Sequence, residues 1–136
     1  MAHAAVGYAG DQKSPTRNIV AWVLCILCAA EFLYAGGLKL IGNPGEVTLF
    51  GIIGWGQWFR YFTAVLEILG AAGLLFPRRS RRSALLLSLV MLGAITFHLT
   101  SLRHTPGLNN PTVAIVTLVA LLAIARLRRD FGFRGA

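Results

Sequence analysis

Four apolar runs, parted by short polar or basic breaks, set the pattern of this chain. The first starts after Arg17 and covers 19–41, roughly 22 residues, which at ~1.5 Å per residue is enough to cross a bilayer core. The break that follows, Asn43-Pro44-Gly45-Glu46, sets an N-cap residue before a first-turn proline and glutamate, and predicts a short helix from Pro44 to about Ile53. Gly54 and Gly56 are expected to end it. Trp55, Trp58, Phe59, Tyr61 and Phe62 come next, an aromatic cluster of the kind that sits at headgroup level. A second span is predicted over 59–76, stopped by Pro77, and then a tight basic loop of Arg78, Arg79, Ser80, Arg81 and Arg82. The third span covers 83–102, and 101–110 is a polar turn containing Pro106 and Gly107. Asn110-Pro111 repeats the helix-start signal and opens the fourth span over 112–127.

The fold class this implies is an all-α membrane protein, an up-down four-helix transmembrane bundle with a short interfacial helix between the first and second spans. Residues 1–17 read as a loose cytoplasmic tail, 18–127 as the four-span domain, and 128–136 as a basic cytoplasmic tail. Gly70, Gly73, Gly93 and Ala94 offer small surfaces for close helix contact.

Composition agrees with that class. Of 136 residues 56% are hydrophobic and only 13% charged, against about 25% charged in soluble domains, and the mean hydropathy is +0.66. The net charge of +8 does not point to nucleic acid, because the basic residues lie in short clusters between apolar runs. They act instead as topology signals. With the N-terminal tail inside, roughly ten lysines and arginines face the cytoplasm and three, Lys39, Arg60 and Arg103, face outward, so both termini are expected to be cytoplasmic. The first run resembles a signal peptide in its basic flank and Cys28-Ala29-Ala30 segment, but three further spans follow, and it is expected to stay as an anchor.

Charges inside a span are costly and are the first candidates for function. Helical rise puts Lys39 near the outer end of the first helix and Glu31 about 12 Å deeper. By the same rise Glu67 lies about 12 Å, and His98 about 6 Å, below the outer ends of their own helices. The four share the outer half of the bundle, where pairing offsets an insertion cost of roughly 2.5 to 3.5 kcal/mol per charge. Structural alternatives exist for each. Lys39 can snorkel to the headgroups, a glutamate can be protonated and bonded to backbone, and His98 can simply link helices. Cys25 and Cys28 have CxxC spacing but lie mid-helix, away from the exposed electropositive setting a redox thiol needs, and read as small packing residues.

Three segments together resemble the DoxX-like family of small four-span membrane proteins: Phe32-Leu33-Tyr34-Ala35-Gly36-Gly37-Leu38-Lys39-Leu40, then Leu66-Glu67-Ile68-Leu69-Gly70 with Leu74-Leu75, then Gly93-Ala94 followed by His98. The resemblance covers about 19–125. It implies a bacterial inner-membrane protein, and it implies kinship with a subunit of a thiosulfate:quinone oxidoreductase and with proteins tied to redox-stress partners. The family's recurring polar positions fall on Lys39, Glu67 and His98; Glu31 and the two cysteines lie outside the pattern. The leading expectation is an accessory subunit of a larger membrane redox assembly that holds a quinone or lipid near Lys39, Glu67, His98 and Glu31, with no covalently bound cofactor and no nucleic-acid partner. Two other readings stay open. One is a stand-alone enzyme on a lipophilic substrate with Glu67 and His98 as acid and base; the other is a structural or assembly protein.

Overall fold

The computed structural model describes residues 15–129, and all regular structure among them is helical. Five helices follow one another: α1 (Pro15–Ile41), α2 (Pro44–Ile53), α3 (Gln57–Leu74), α4 (Pro77–Leu99) and α5 (Thr112–Leu127). Residues 1–14 and 130–136, which hold most of both predicted tails, lie outside the described residues. Helix α1 includes Pro15, Thr16 and Arg17, so the last three residues of the expected N-terminal tail are helical.

The short helix α2 has the predicted bounds. The Asn43 side chain accepts a hydrogen bond from the Gly45 amide at 3.0 Å, and Gly54 ends the helix in the left-handed region at φ 83°. Prediction and structure part at α4. The arginine-rich stretch is not a loop but the first turn of that helix, and the connection from α3 is only Leu75 and Phe76. Pro77 starts a helix rather than stopping one, and arginine is a good helix former. Ser80 is fully buried there, its hydroxyl donating to the Pro77 carbonyl at 2.9 Å.

The four longer helices pack in a closed ring, α1 on α3, α3 on α4, α4 on α5 and α5 on α1, with α2 laid against α3. Cross-helix contacts show antiparallel neighbours. Arg17 at the start of α1 donates to the Leu127 carbonyl at the end of α5 (2.9 Å). A Cβ placed on Gly70 would meet Leu87 of α4 at 2.6 Å, and one on Gly73 would collide with Ser83, so these glycines allow the close approach of α3 and α4. Gly36 does the same between α1 and α3. Gly93 does not: a Cβ there would meet nothing within 4 Å.

Two apolar clusters fill the ring. Cys25, Cys28, Phe32, Leu74, Leu87 and Leu121 belong to the larger one, toward the arginine-rich end. Phe50, Ile53 and Leu102 close the other end, with Phe59 and Phe97 packed beside them. A cavity of about 670 Å³ lies between the two, lined by both.

By length and composition α1 and α4 are long and apolar enough to cross a membrane. Helix α5 has 16 residues, or about 24 Å against a hydrocarbon core of about 30 Å.

Candidate functional site

The site begins at the end of α1. Gly42, at φ 71°, lets the chain close a Schellman turn in which the Asn43 amide reaches the Leu38 carbonyl at 3.0 Å and the Gly42 amide reaches the Lys39 carbonyl at 3.4 Å. Asn43 then caps α2, so the two helices meet at a fixed corner. That corner carries Glu46, in the first turn of α2, back toward Lys39 in the last turn of α1.

Lys39 is buried and bridges two carboxylates, Glu67 at 3.3 Å and Glu46 at 3.7 Å. It does not snorkel. With Glu46 and Glu67 both within reach, and its own side chain 11% exposed, the ammonium finds its counter-charge inside the bundle. Glu46 Oε2 and Glu67 Oε2 are buried and accept no hydrogen bond, so these contacts are ion pairs without hydrogen-bond alignment. Each oxygen keeps accepting capacity, and both residues line the cavity.

Arg60 supports this wall from outside the cavity lining. It is 5% exposed, its Nη1 donates to the Lys39 carbonyl, its Nε donates to Gln57 Oε1 at 2.8 Å, and its guanidinium lies 4.3 Å from the Tyr61 ring centroid. Arg60 thus gives the Lys39 carbonyl a second donor beside the distant Gly42 amide and brings positive charge to the negative end of the helix dipole. In the sequence it reads only as an outward-facing basic residue. The signal that exposes it is periodic: Arg60, Ala64, Glu67, Ala71 and Leu74 form one buried stripe of α3. In the sequence Glu46 reads as a helix-start residue alone, and nothing in the pattern marks Thr117.

Glu31 and His98 line the same cavity without joining the ion pair. The Thr117 hydroxyl of α5 lies 2.9 and 3.1 Å from the two Glu31 carboxylate oxygens and donates to them. His98 Nδ1 donates to the Leu108 carbonyl at 2.6 Å. A carbonyl can only accept, so the proton sits on Nδ1 and leaves Nε2 as an acceptor when the ring is neutral. The remaining lining is mostly aliphatic and aromatic. Cys25 and Cys28 are reduced and buried in the core, apart from the cavity lining. Among the described residues no group of three or more His, Cys, Asp or Glu side chains converges as a metal site.

Long apolar helices around a cavity with a charged wall define a small helical membrane protein. The chain belongs to the DoxX-like family, which it matches over residues 23–125, a stretch holding Glu31, Lys39, Glu46, Arg60, Glu67, His98 and Thr117. No curated protein and no solved structure gives a significant match.

Proposed function

We propose that the chain is a four-span protein of the bacterial inner membrane, with α2 in the outer interface and both termini cytoplasmic, that binds a quinone or lipid as an accessory subunit of a larger redox assembly. The cavity carries this reading. Its volume of about 670 Å³ lies within the range of about 300 to 1,000 Å³ typical of sites for drug-sized ligands, and polar groups occupy only part of an apolar lining.

All four long helices turn large apolar side chains outward, including Leu27, Leu69, Leu89 and Val119, each more than three-fifths exposed. Lipid is the natural cover for such a belt. The arginines of 17, 78–82 and 126–129 gather at one end of the ring, and Lys39, Arg60 and Arg103 at the other, which supports cytoplasmic termini.

A quinone carbonyl accepts hydrogen bonds, and its reduction needs proton carriers close by. Lys39 supplies N–H donors, His98 Nε2 supplies an acceptor for a quinol hydroxyl, and Glu67 and Glu46 are carboxylates on the same lining. Electrons in this reading come from the partner subunit, since the chain's own thiols are packed in the core. An acid–base pair of Glu67 and His98 has less support: no hydrogen bond or ion pair joins them among the described residues.

The test is native mass spectrometry of the gently solubilised protein, followed by quinone titration of the protein in nanodiscs. A co-purifying chain and saturable binding that Glu67→Gln weakens are expected. Neither a partner nor saturable binding would leave the structural reading in its place.

A further inference from the structure

The cavity has an edge that faces sideways. Three of its exposed lining residues, Phe62 of α3 and Leu86 and Leu89 of α4, flank the seam between those helices at 51%, 38% and 67% exposure. A residue that lines a cavity and is also open to the outside marks a mouth. The other two exposed lining residues, Asn110 and Val113, lie around the start of α5, at the end of the bundle.

The α3–α4 seam is closed below and above this mouth. Below, Gly70 and Gly73 bring α3 against Leu87 and Ser83 so tightly that no Cβ fits. Above, Phe97 of α4 meets Phe59 of α3 at 5.9 Å and Trp55 at 5.5 Å between ring centroids. Between these two closures lies Gly93, which also lines the cavity and whose missing side chain faces open space. Any larger residue there would stand in the gap.

We infer that the α3–α4 seam is a lateral portal, with Gly93 as its sill, through which the hydrocarbon chain of an amphiphile passes between the cavity and the lipid while its head rests at the Lys39 wall. The inference rests on the binding reading above and adds its route. A cavity of 670 Å³ holds a head and a short chain, so a long prenyl or acyl chain has to leave it. The mouth is bordered by Phe62, Leu86 and Leu89, apolar throughout, which suits a chain and not a headgroup.

Ala114 is 7% exposed, lines the cavity from α5 and lies away from the seam, so a cysteine there reports entry. In the full chain with Cys25→Ala and Cys28→Ala, reconstituted in vesicles, Ala114→Cys is labelled with a bilayer-dissolved maleimide and, separately, with a water-soluble one. Adding Gly93→Trp should slow the lipophilic reaction about tenfold or more, because a filled wall excludes the reagent, and should leave the water-soluble rate unchanged. Gly93→Leu should act in the same direction, which guards against a Trp variant that misfolds. A lipophilic rate indifferent to both variants overturns the portal. This readout needs no ligand, so the portal can fail while quinone binding stands, or hold while quinone binding fails. Protection of the cysteine by long-chain ubiquinone but not by added phosphatidylglycerol assigns a prenyl chain, and the reverse assigns an acyl chain; both support the portal.

Discussion

Removing Lys39 should cost far more than removing Glu67, although the two form one ion pair. At an effective dielectric constant of about 20, the attraction of Lys39 for Glu67 at 3.3 Å is roughly 5 kcal/mol, and for Glu46 at 3.7 Å roughly 4.5 kcal/mol, before desolvation is subtracted. Lys39→Met loses both attractions and leaves the buried Glu67 carboxylate beside the half-buried Glu46 carboxylate on one wall, so a net loss of about 3 to 5 kcal/mol is expected, as for other broken buried pairs. Glu67→Gln loses one attraction, leaves Lys39 paired with Glu46 and relieves the repulsion between the carboxylates, so about 1 kcal/mol is expected. The double variant should fall short of the sum by about 1 to 3 kcal/mol, because the Lys39–Glu67 contact is lost only once. Equilibrium unfolding in mixed micelles reads all three. Equal costs for the two single changes, with additivity in the double, would refute a Lys39 shared between two carboxylates.

Other changes probe the frame around that wall. Arg60→Gln should lower stability by about 1.5 to 3 kcal/mol in the same unfolding assay, since the guanidinium hydrogen-bonds the Lys39 carbonyl while buried; no change would remove it from the site's support. Gly36→Ala should destabilise by about 1 to 3 kcal/mol, because its Cβ would sit 2.8 Å from Ile68 Cγ1 and 3.2 Å from the Ala64 carbonyl. Gly37→Ala, which meets nothing within 4 Å, should be neutral or stabilise by up to about 1 kcal/mol through helix propensity. Arg79→Cys should react with a membrane-impermeant reagent only from the cytoplasmic side and Gly107→Cys only from outside, both in a background free of Cys25 and Cys28; labelling of both from one side would sink the four-span arrangement. Trp55 and Trp58, both more than half exposed, should be quenched by lipids brominated at shallow positions, and quenching by water-soluble agents alone would move the α2–α3 connection out of the interface.

Helix positions were legible wherever a boundary has its own chemistry. Asn43, Pro44 and Gly54 fix both ends of α2, and Asn110, whose side chain accepts from the Thr112 amide at 3.0 Å, marks the start of α5. The start of α4 is not legible in the same way, because clustered charge reads as a loop signal. Charge alone carries no backbone preference: arginine has helix propensity close to that of leucine, and the exposed first turn of α4 lets Arg78, Arg79 and Arg82 reach solvent or headgroups. The role of Gly93 is hidden for a related reason. A small residue permits close packing, yet it serves equally well to leave a gap, and only the position of the neighbouring helix decides between the two.

The site divides along the same line. Counting residues along a helix gives depth, and depth puts Lys39 and Glu67 in the same outer half of the bundle, where the long lysine side chain spans the difference in level and meets the carboxylate at 3.3 Å. It says nothing of direction around the helix axis. Glu31 and Lys39 are eight residues apart, and at 3.6 residues per turn that separates them by about 80° of azimuth. That angle is enough to send Glu31 to Thr117 of α5 while Lys39 turns to Glu67 of α3. Glu46 was hidden for another reason: its approach to Lys39 depends on the corner made by Gly42 and Asn43, a turn that charge and hydropathy do not encode. Azimuth, together with the two turns between them, thus explains why Glu31 and Lys39 on one helix meet different neighbours, and it leads to a consequence that can be checked. Thr117→Val should free the Glu31 carboxylate without touching the Lys39 wall, so it should lower stability by about 1 to 3 kcal/mol and add independently to Glu67→Gln. Coupling between those two changes as large as that between Lys39 and Glu67 would show that Glu31 belongs to the ion-pair wall after all.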